Sequence, residues 1–288
     1  MLKPPTVREH VADGCQRLRE AGIPADQAGL DARLIAQSVL GWTTERLLTS
    51  GSEPVPKDFA RHYGARLGRR VGREPLAYVL GQKEFWGLAM EVSPAVLIPR
   101  PETELIVEAA LELGAETASS LTIADVCTGS GCIAVALAHE RPSARVIATD
   151  ISKAALAIAR RNAVRHGVAD RVQFSCANLL DGVTDPFDLI VCNPPYVAER
   201  DRPALQPEVR DHEPGIALFS GPDGLDVIGR LIAQAPARLV SGGHLLFEFG
   251  FGQDQVIEDL IARASGLRLV ELRRDLQGIA RTAVAERA

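Results

Sequence analysis

The sequence lacks any apolar run that approaches the roughly 20 residues of a membrane-spanning helix. Its first residues, Met1-Leu-Lys-Pro-Pro5, are followed by charged residues rather than by the apolar core of a secretion signal. We therefore expect neither a membrane anchor nor secretion, and we expect a cytoplasmic protein.

Cysteine pairs of the kind that form disulfide frameworks or zinc sites are also missing. The five cysteines are odd in number, and none belongs to a Cys-x-x-Cys pair. Free thiols suit a reducing cytosol, and we predict no metal site. The cysteines are Cys15, Cys127, Cys132, Cys176 and Cys192.

Positive charge is scarce in the larger part of the chain. Residues 1–80 carry 12 Lys and Arg against 9 Asp and Glu, whereas residues 81–288 carry 20 against 28. Because binding to polyphosphate depends on Lys and Arg, the acidic part is a poor generic partner for nucleic acid. A basic face is expected only in residues 1–80, formed by Lys57, Arg61, Arg66, Arg69, Arg70 and Arg73.

The first 80 residues have the pattern of a small helical domain. With 288 residues, 46% of them hydrophobic, the chain is long enough for one large and one small domain. Apolar residues at helical spacing predict helices over Pro5–Glu20, Asp26–Leu40 and Lys57–Val71. We predict a helical domain over residues 1–80 with a linker at 72–81, and a second domain over residues 81–288 that opens with a hairpin at 84–92.

After residue 120, strands alternate with helices. This alternation predicts an α/β domain with a parallel sheet covered by helices on both faces. Predicted strands are 121–126, 145–149, 172–175, 187–192, 243–249, 268–271 and 279–285, and predicted helices are 132–140, 152–166, 225–239 and 253–264, after a helix from Pro101 to Leu113. The segment 197–224 is long for a loop, which is typical of a lid or binding loop.

A glycine-rich turn follows the first strand of this domain. The run Cys127-Thr128-Gly129-Ser130-Gly131-Cys-Ile-Ala134 leads into a helix, and Asp150 stands at the end of the next strand. Glycines permit a tight turn with close backbone approach, the helix N-terminus offers free N–H groups, and the acid can accept both ribose hydroxyls. Alone, the pattern fits NAD as well as S-adenosylmethionine.

A second motif, Asn193-Pro194-Pro195-Tyr196, follows the apolar strand at 187–192. Two prolines make a stiff, donor-poor segment that presents carbonyl oxygens. The Asn193 side-chain oxygen and the Pro194 carbonyl can each accept one N–H of a planar NH2 group, while Tyr196 packs against its flat face. Together with the glycine-rich turn, this predicts methyl transfer from S-adenosylmethionine to an amide or an adenine by positioning rather than by a strong base.

At these residues the sequence resembles the HemK/PrmC family, N5-glutamine methyltransferases of class-1 peptide-chain release factors. The resemblance covers nearly the whole chain. It is densest at 81–88, 97–104, 127–131, 193–196, 209–214, 221–225 and 275–281, including Leu97-Ile-Pro-Arg-Pro-Glu-Thr-Glu104 and Asp275-Leu-Gln-Gly-Ile-Ala-Arg281.

The resemblance implies a seven-stranded Rossmann-like methyltransferase domain, a helical N-terminal domain that engages the release factor, and a target glutamine inside a Gly-Gly-Gln motif. It makes Cys127 to Gly131 the cofactor loop, Asp150 the ribose ligand, and Asn193 to Tyr196 the glutamine clamp. It also places Asn178 and Leu179 at the adenine side and Asn193 against the cofactor. Cys127 stands where much of the family has Gly, and Asn178 stands where the family usually has Asp.

Alternatives remain open from the sequence. The glutamine of a large-subunit ribosomal protein is a second acceptor, and a flipped adenine in DNA is a third. The basic face could contact a release factor or the ribosome, or it could be only a solvated surface. Glu248, on an apolar strand, could form a hydrogen bond at the cleft or be a satisfied buried carboxylate. We expect a monomer.

Overall fold

The computed structural model describes residues 5–114 and 120–288. The residues before Pro5, on which part of the secretion prediction rests, lie outside this range. Within the described part of the chain, no helix is long and apolar enough to cross a membrane.

The helices and strands are numbered here in chain order. The helices are α1 (Val7–Glu20), α2 (Ala25–Leu40), α3 (Thr44–Ser50), α4 (Phe59–Val71), α5 (Leu76–Leu80), α6 (Glu104–Leu113), α7 (Cys132–Glu140), α8 (Lys153–Arg165), α9 (Pro207–His212), α10 (Asp226–Gln234) and α11 (Asp254–Arg263). The strands are β1 (Gln82–Phe85), β2 (Leu88–Glu91), β3 (Thr122–Val126), β4 (Arg145–Asp150), β5 (Val172–Cys176), β6 (Phe187–Cys192), β7 (Leu239–Glu248), β8 (Leu267–Arg274) and β9 (Ala280–Arg287).

The chain divides into two compact units. The first extends to Gly81 and includes Gln206–His212, so that α9 packs with α1 to α5. The second comprises Gln82–Leu205 and the residues from Glu213 onward. The sequence gives no sign that the segment 197–224, predicted as a loop, contributes a helix to the first unit.

The first unit is built around helices that bury their apolar faces against each other. A capping box starts α1: the Thr6 hydroxyl accepts from the Glu9 N–H at 3.2 Å, and the Glu9 carboxylate accepts from the Thr6 N–H at 2.7 Å. The core residues include Leu18, Ile35 and Leu67, all fully buried.

Four of the six basic side chains expected on one face form ion pairs inside this unit, and one of them is Arg61 with Asp58 at 3.4 Å. The buried Arg70 pairs with Asp31 at 2.7 Å and with Glu208 at 3.0 Å. Arg73 pairs with Glu208, and Arg69 pairs with Glu74. The positive surface of residues 1–80 is therefore smaller than the charge count indicates.

The second unit contains a seven-stranded sheet in the order β5-β4-β3-β6-β7-β9-β8, and a separate antiparallel hairpin, β1-β2. The predicted parallel arrangement is correct for β5 through β7. It is wrong for β9, which pairs antiparallel with both β7 and β8. A tight connection through 275–279 reverses the chain after β8, and this turn permits only an antiparallel neighbour.

Side chains that alternate along the strands form a core on each face of the sheet. Ile123 and Val191 point to the face covered by α6 and α7, whereas Ala124 and Ile190 point to the face covered by α10 and α11. Because helices cover both faces of the sheet, we expect a ligand to bind at the edge formed by the carboxyl ends of the strands.

One predicted helix extends too far. The sequence predicts helix over 225–239, but α10 ends at Gln234 and Leu239 is the first residue of β7. Pro236 lies in the short turn Ala235–Ala237 that follows α10, and a proline cannot continue the hydrogen-bond pattern of a helix.

Candidate active site

Two strand ends lie side by side at one edge of the sheet. β3 and β6 are neighbours, with Val126 opposite Cys192, yet the chain continues from β3 to one side of the sheet and from β6 to the other. Such a reversal opens a crevice beyond the carboxyl ends of the strands. The glycine-rich turn and the segment beginning at Asn193 both start at this crevice, so the fold brings together the two motifs that the sequence singles out.

The glycine-rich turn takes a backbone conformation that favours glycine. Cys127, Gly129 and Gly131 have φ angles of 59°, 55° and 80°. At Gly131 a Cβ atom would lie 2.9 Å from the Cβ of Ala159 and 3.1 Å from its Cα, so only glycine fits against α8. A non-glycine residue in this region costs about 1–2 kcal/mol, so the backbone at Cys127 is strained.

Asp125, near the end of β3, stabilises the glycine-rich turn by hydrogen bonds. One carboxylate oxygen accepts from the Thr128 hydroxyl at 2.5 Å and from the Ala134 N–H at 3.1 Å, while the other oxygen is buried without a partner among the residues that the structure describes. Burial raises the pKa of Asp125 to about 7, and the bonds from Thr128 and Ala134 oppose this rise.

Asp150, at the end of β4, stands at the opposite rim of the turn. One oxygen accepts from the Gly129 N–H at 2.9 Å and the other from the Ser152 N–H at 2.8 Å. Burial raises the pKa of this carboxyl as well. A carboxylate has about four lone-pair sites, so Asp150 retains capacity to accept hydrogen bonds from a ligand.

A cavity of about 260 Å³ opens between these segments. Most of the predicted cofactor residues line it, together with one proline of the second motif; these are Cys127, Thr128, Gly129, Ser130, Asp150, Asn178, Leu179, Asn193 and Pro195. Gly131 lies behind the turn against α8 and is not part of the lining, and neither are Pro194 and Tyr196.

Several apolar residues of the lining were not found from the sequence. They are Val96, Ile151, Ala155, Ile216, Phe219 and Val227. None belongs to a motif with a chemical signature, and they reach the cavity from separate loops and helices. Single apolar residues in loops carry no pattern that identifies them as lining.

The side-chain amide of Asn193 is hydrogen-bonded on one side only. The side-chain NH2 donates to the Thr103 hydroxyl at 2.9 Å, and the side-chain oxygen is buried with no partner in residues 5–114 and 120–288. Burying an acceptor without a donor costs about 1–3 kcal/mol of free energy, so a ligand N–H that donates to this oxygen would bind favourably.

Tyr196 is held at both its side chain and its backbone. Its hydroxyl donates to Glu248 at 2.8 Å, and its carbonyl accepts from the Gln253 side chain at 3.1 Å. Gly224 packs so closely that a Cβ there would lie 2.2 Å from the same carbonyl oxygen. Burial, and then the Glu248 carboxylate, raise the pKa of Tyr196 well above its ordinary value, so the phenol stays protonated.

Thr103 and Glu248 complete this arrangement. The Thr103 hydroxyl donates to Glu248 at 2.6 Å, and both residues are 1% exposed. Sequence reasoning passed over Thr103, because a threonine in the first turn of a helix is ordinary. It weighed Glu248 only as a carboxylate on an apolar strand.

Two family models match the chain. The methyltransferase small domain matches residues 103–208, and the PrmC N-terminal domain matches residues 9–81. The release factor glutamine methyltransferase of Bradyrhizobium diazoefficiens is 42% identical over 273 residues, which cover 94% of this chain and 91% of that protein. The enzyme of the same name from Deinococcus radiodurans is 38% identical, and the match covers 98% of this chain and 99% of that protein.

Solved structures with a similar fold include a methyltransferase from Pyrococcus furiosus. It is 17% identical with a TM-score of 0.51, and the match covers 77% of this chain and 98% of that one. This likeness concerns the fold alone. A release factor-specific protein-(glutamine-N5) methyltransferase from Alicyclobacillus acidocaldarius is 31% identical, with a TM-score of 0.42 and coverage of 69% of this chain and 99% of that one.

Proposed function

Because the chain belongs to the release factor glutamine methyltransferase family, we propose that it methylates the glutamine of the Gly-Gly-Gln motif of class-1 release factors, at the side-chain amide nitrogen. The methyl donor is S-adenosylmethionine. The observation that carries the proposal is the buried side-chain oxygen of Asn193, a residue of the cavity wall, which has no hydrogen-bond partner within the described part of the chain.

The residues around the cavity fit the cofactor. Asp150 would hold the ribose hydroxyls, and the turn from Cys127 to Gly131 would lie against the amino-acid part. Asn178 would accept from the adenine amine through its neutral side-chain oxygen, and Ile151, Ala155 and Val227, which also line the cavity, would supply apolar surface for the adenine ring. When bound, the cofactor supplies an electrophilic methyl group on a sulfonium.

The residues of the second motif would orient the acceptor. An amide nitrogen is a poor nucleophile because its lone pair is delocalised into the carbonyl group. The Asn193 oxygen and the Pro194 carbonyl would accept its two N–H groups and turn the lone pair toward the methyl group, while Tyr196 packs against the amide plane.

This arrangement discriminates between acceptors by hydrogen bonding. A glutamine NH2 satisfies the Asn193 oxygen, whereas a carboxylate of similar shape has no hydrogen to donate and would be repelled. A strong base is not required, because the nitrogen becomes acidic only as it gains the methyl group and can then lose a proton to solvent.

We propose that the helical residues 1–80 engage the protein substrate and that residues 81–288 carry out the chemistry. The match of the PrmC N-terminal domain to residues 9–81 supports this division. A contact with the ribosome stays a prediction with less support, because Arg69, Arg70 and Arg73 are paired internally. A cytoplasmic location follows from the proposed substrate, and the monomeric state stays a prediction.

Transfer of radiolabelled methyl groups tests the proposal. Purified class-1 release factor is compared with a version whose Gly-Gly-Gln glutamine is replaced by alanine. We expect label on the first and none on the second. Equal label on both, or none on either when cofactor binding is confirmed by calorimetry, would overturn the assignment and turn attention to a ribosomal protein.

A further inference from the structure

Four side chains form a continuous chain of hydrogen bonds behind the cavity. The Asn193 NH2 donates to the Thr103 hydroxyl at 2.9 Å, Thr103 donates to one oxygen of Glu248 at 2.6 Å, and Tyr196 donates to the other oxygen at 2.8 Å. The four residues come from the segment that follows β6, the turn before α6 and the last position of β7.

The carboxylate of Glu248 sets the direction of every bond in this chain. An ionised carboxylate only accepts, so the single hydroxyl hydrogen of Thr103 must point at Glu248. The Thr103 oxygen can then only accept from Asn193. If the Asn193 amide were rotated by half a turn, its oxygen would face an oxygen and its NH2 would face the acceptor NH2, so two hydrogen bonds would be lost.

We propose that Thr103 and Glu248 are positioning residues that hold Asn193 with its amide oxygen toward the glutamine nitrogen and its NH2 away from it. The inference rests on the proposed function, because only an NH2 acceptor requires this orientation. The same carboxylate holds the Tyr196 ring, so one buried charge aligns both sides of the acceptor clamp.

The surroundings of Glu248 connect this device to pH. Burial raises the pKa of Glu248; the bonds from Thr103 and Tyr196 lower it, Glu102 raises it and Arg281 lowers it. Glu248 also acts electrostatically on the Cys132 thiol, whose pKa is raised to about 12 mainly by burial, so the thiol stays neutral. A protonated Glu248 that donated to Thr103 would release the Thr103 hydroxyl hydrogen to point at Asn193, and Asn193 would then lose its fixed orientation.

Nuclear magnetic resonance can follow the Asn193 amide without any activity. The chain contains three asparagines, Asn162, Asn178 and Asn193, so nitrogen-15 labelling of asparagine gives three side-chain NH2 signals that single substitutions assign. We expect the Asn193 signal to shift as the pH is lowered through the pKa of Glu248, and this shift to vanish in Glu248→Gln. Thr103→Val should speed exchange of the Asn193 NH2 hydrogens with water, and Thr103→Ser should not.

Kinetics supply the second readout, with a matched control. Thr282 is a fully buried threonine opposite Glu248 on the neighbouring strand, and its hydroxyl has no partner among the described residues. Thr103→Val should lower kcat roughly 10- to 100-fold with an unchanged Kd for S-adenosylmethionine. Thr282→Val should leave kcat unchanged, and Thr103→Ser should recover most of the activity.

The outcomes separate the two proposals. Absence of transfer by the unaltered enzyme would refute the proposed function, while the resonance measurement would still test the orientation of Asn193. Transfer by Thr103→Val as fast as by Thr282→Val, or an Asn193 signal indifferent to both Thr103→Val and Glu248→Gln, would overturn the positioning role.

Discussion

Replacing Asp125 by asparagine should remove a large part of the pH dependence of folding. In the native state burial raises the pKa of Asp125 to about 7, whereas the pKa of an aspartate in an unfolded chain is about 3.9. Between these two values the native protein holds a proton that the unfolded chain has released. Stability must therefore fall as the pH rises through this interval.

The magnitude follows from the size of the interval. Each pH unit corresponds to about 1.4 kcal/mol, so three units give an upper estimate of about 4 kcal/mol between pH 4 and 7. Asparagine can accept from Thr128 and Ala134 through its oxygen and places its NH2 where the unpartnered oxygen lies. Asp125→Asn thus resembles the protonated aspartate at every pH.

Urea denaturation at a series of pH values, without cofactor, measures this difference. Other titrating groups cancel when the free energy of unfolding of Asp125→Asn is compared with that of the unaltered protein. Asp170→Asn, at a side chain that is 79% exposed, is the control and should show no such trend. A difference between Asp125→Asn and the unaltered protein that stays constant from pH 4 to 8 would refute the reasoning.

Three further substitutions test the site. Asn193→Ala should abolish methyl transfer while calorimetry shows cofactor binding largely intact, because the lost oxygen contacts the acceptor; loss of cofactor binding would contradict that role. Gly131→Ala should destabilise the protein more than Gly167→Ala in thermal unfolding. Both glycines have positive φ, but only at Gly131 would the new Cβ lie 2.9 Å from the Cβ of Ala159. Equal losses of stability, each about 1 kcal/mol, would show that α8 moves to accommodate the new Cβ. Cys127→Gly should be more stable than Cys127→Ala by about 1 kcal/mol in urea, because only glycine relieves the left-handed backbone; equal stabilities would argue against strain at this position.

Local pattern was enough to predict the elements that frame the site. The sequence predicts β6 and α7 with their observed bounds, because each is a mainly apolar run that stops at a clear signal: Pro194 soon after β6, and Glu140 with Pro142 at the end of α7. Strand direction is a different matter. The tight turn at 275–279 makes β9 antiparallel to β8, but the position of β9 beside β7 depends on long-range pairing that no residue within the strand specifies.

Residues of the site that are close in sequence can be predicted from the sequence, whereas those brought together only by the fold cannot. The motif from Asn193 to Tyr196 is contiguous, so its chemistry can be inferred from four residues. Thr103 and Glu248 lie 90 and 52 positions away from the partners they hold, Asn193 and Tyr196, and each looks ordinary in its own segment.

Only the sheet order makes these distant residues neighbours. Because β6 lies beside β7, the end of β7 places Glu248 next to the segment that follows β6. The buried carboxylate then requires donors, and Thr103 and Tyr196 supply them. The motif from Asn193 to Tyr196 can thus present the reacting groups, while the orientation of the Asn193 amide depends on the Glu248 carboxylate, which is distant in sequence.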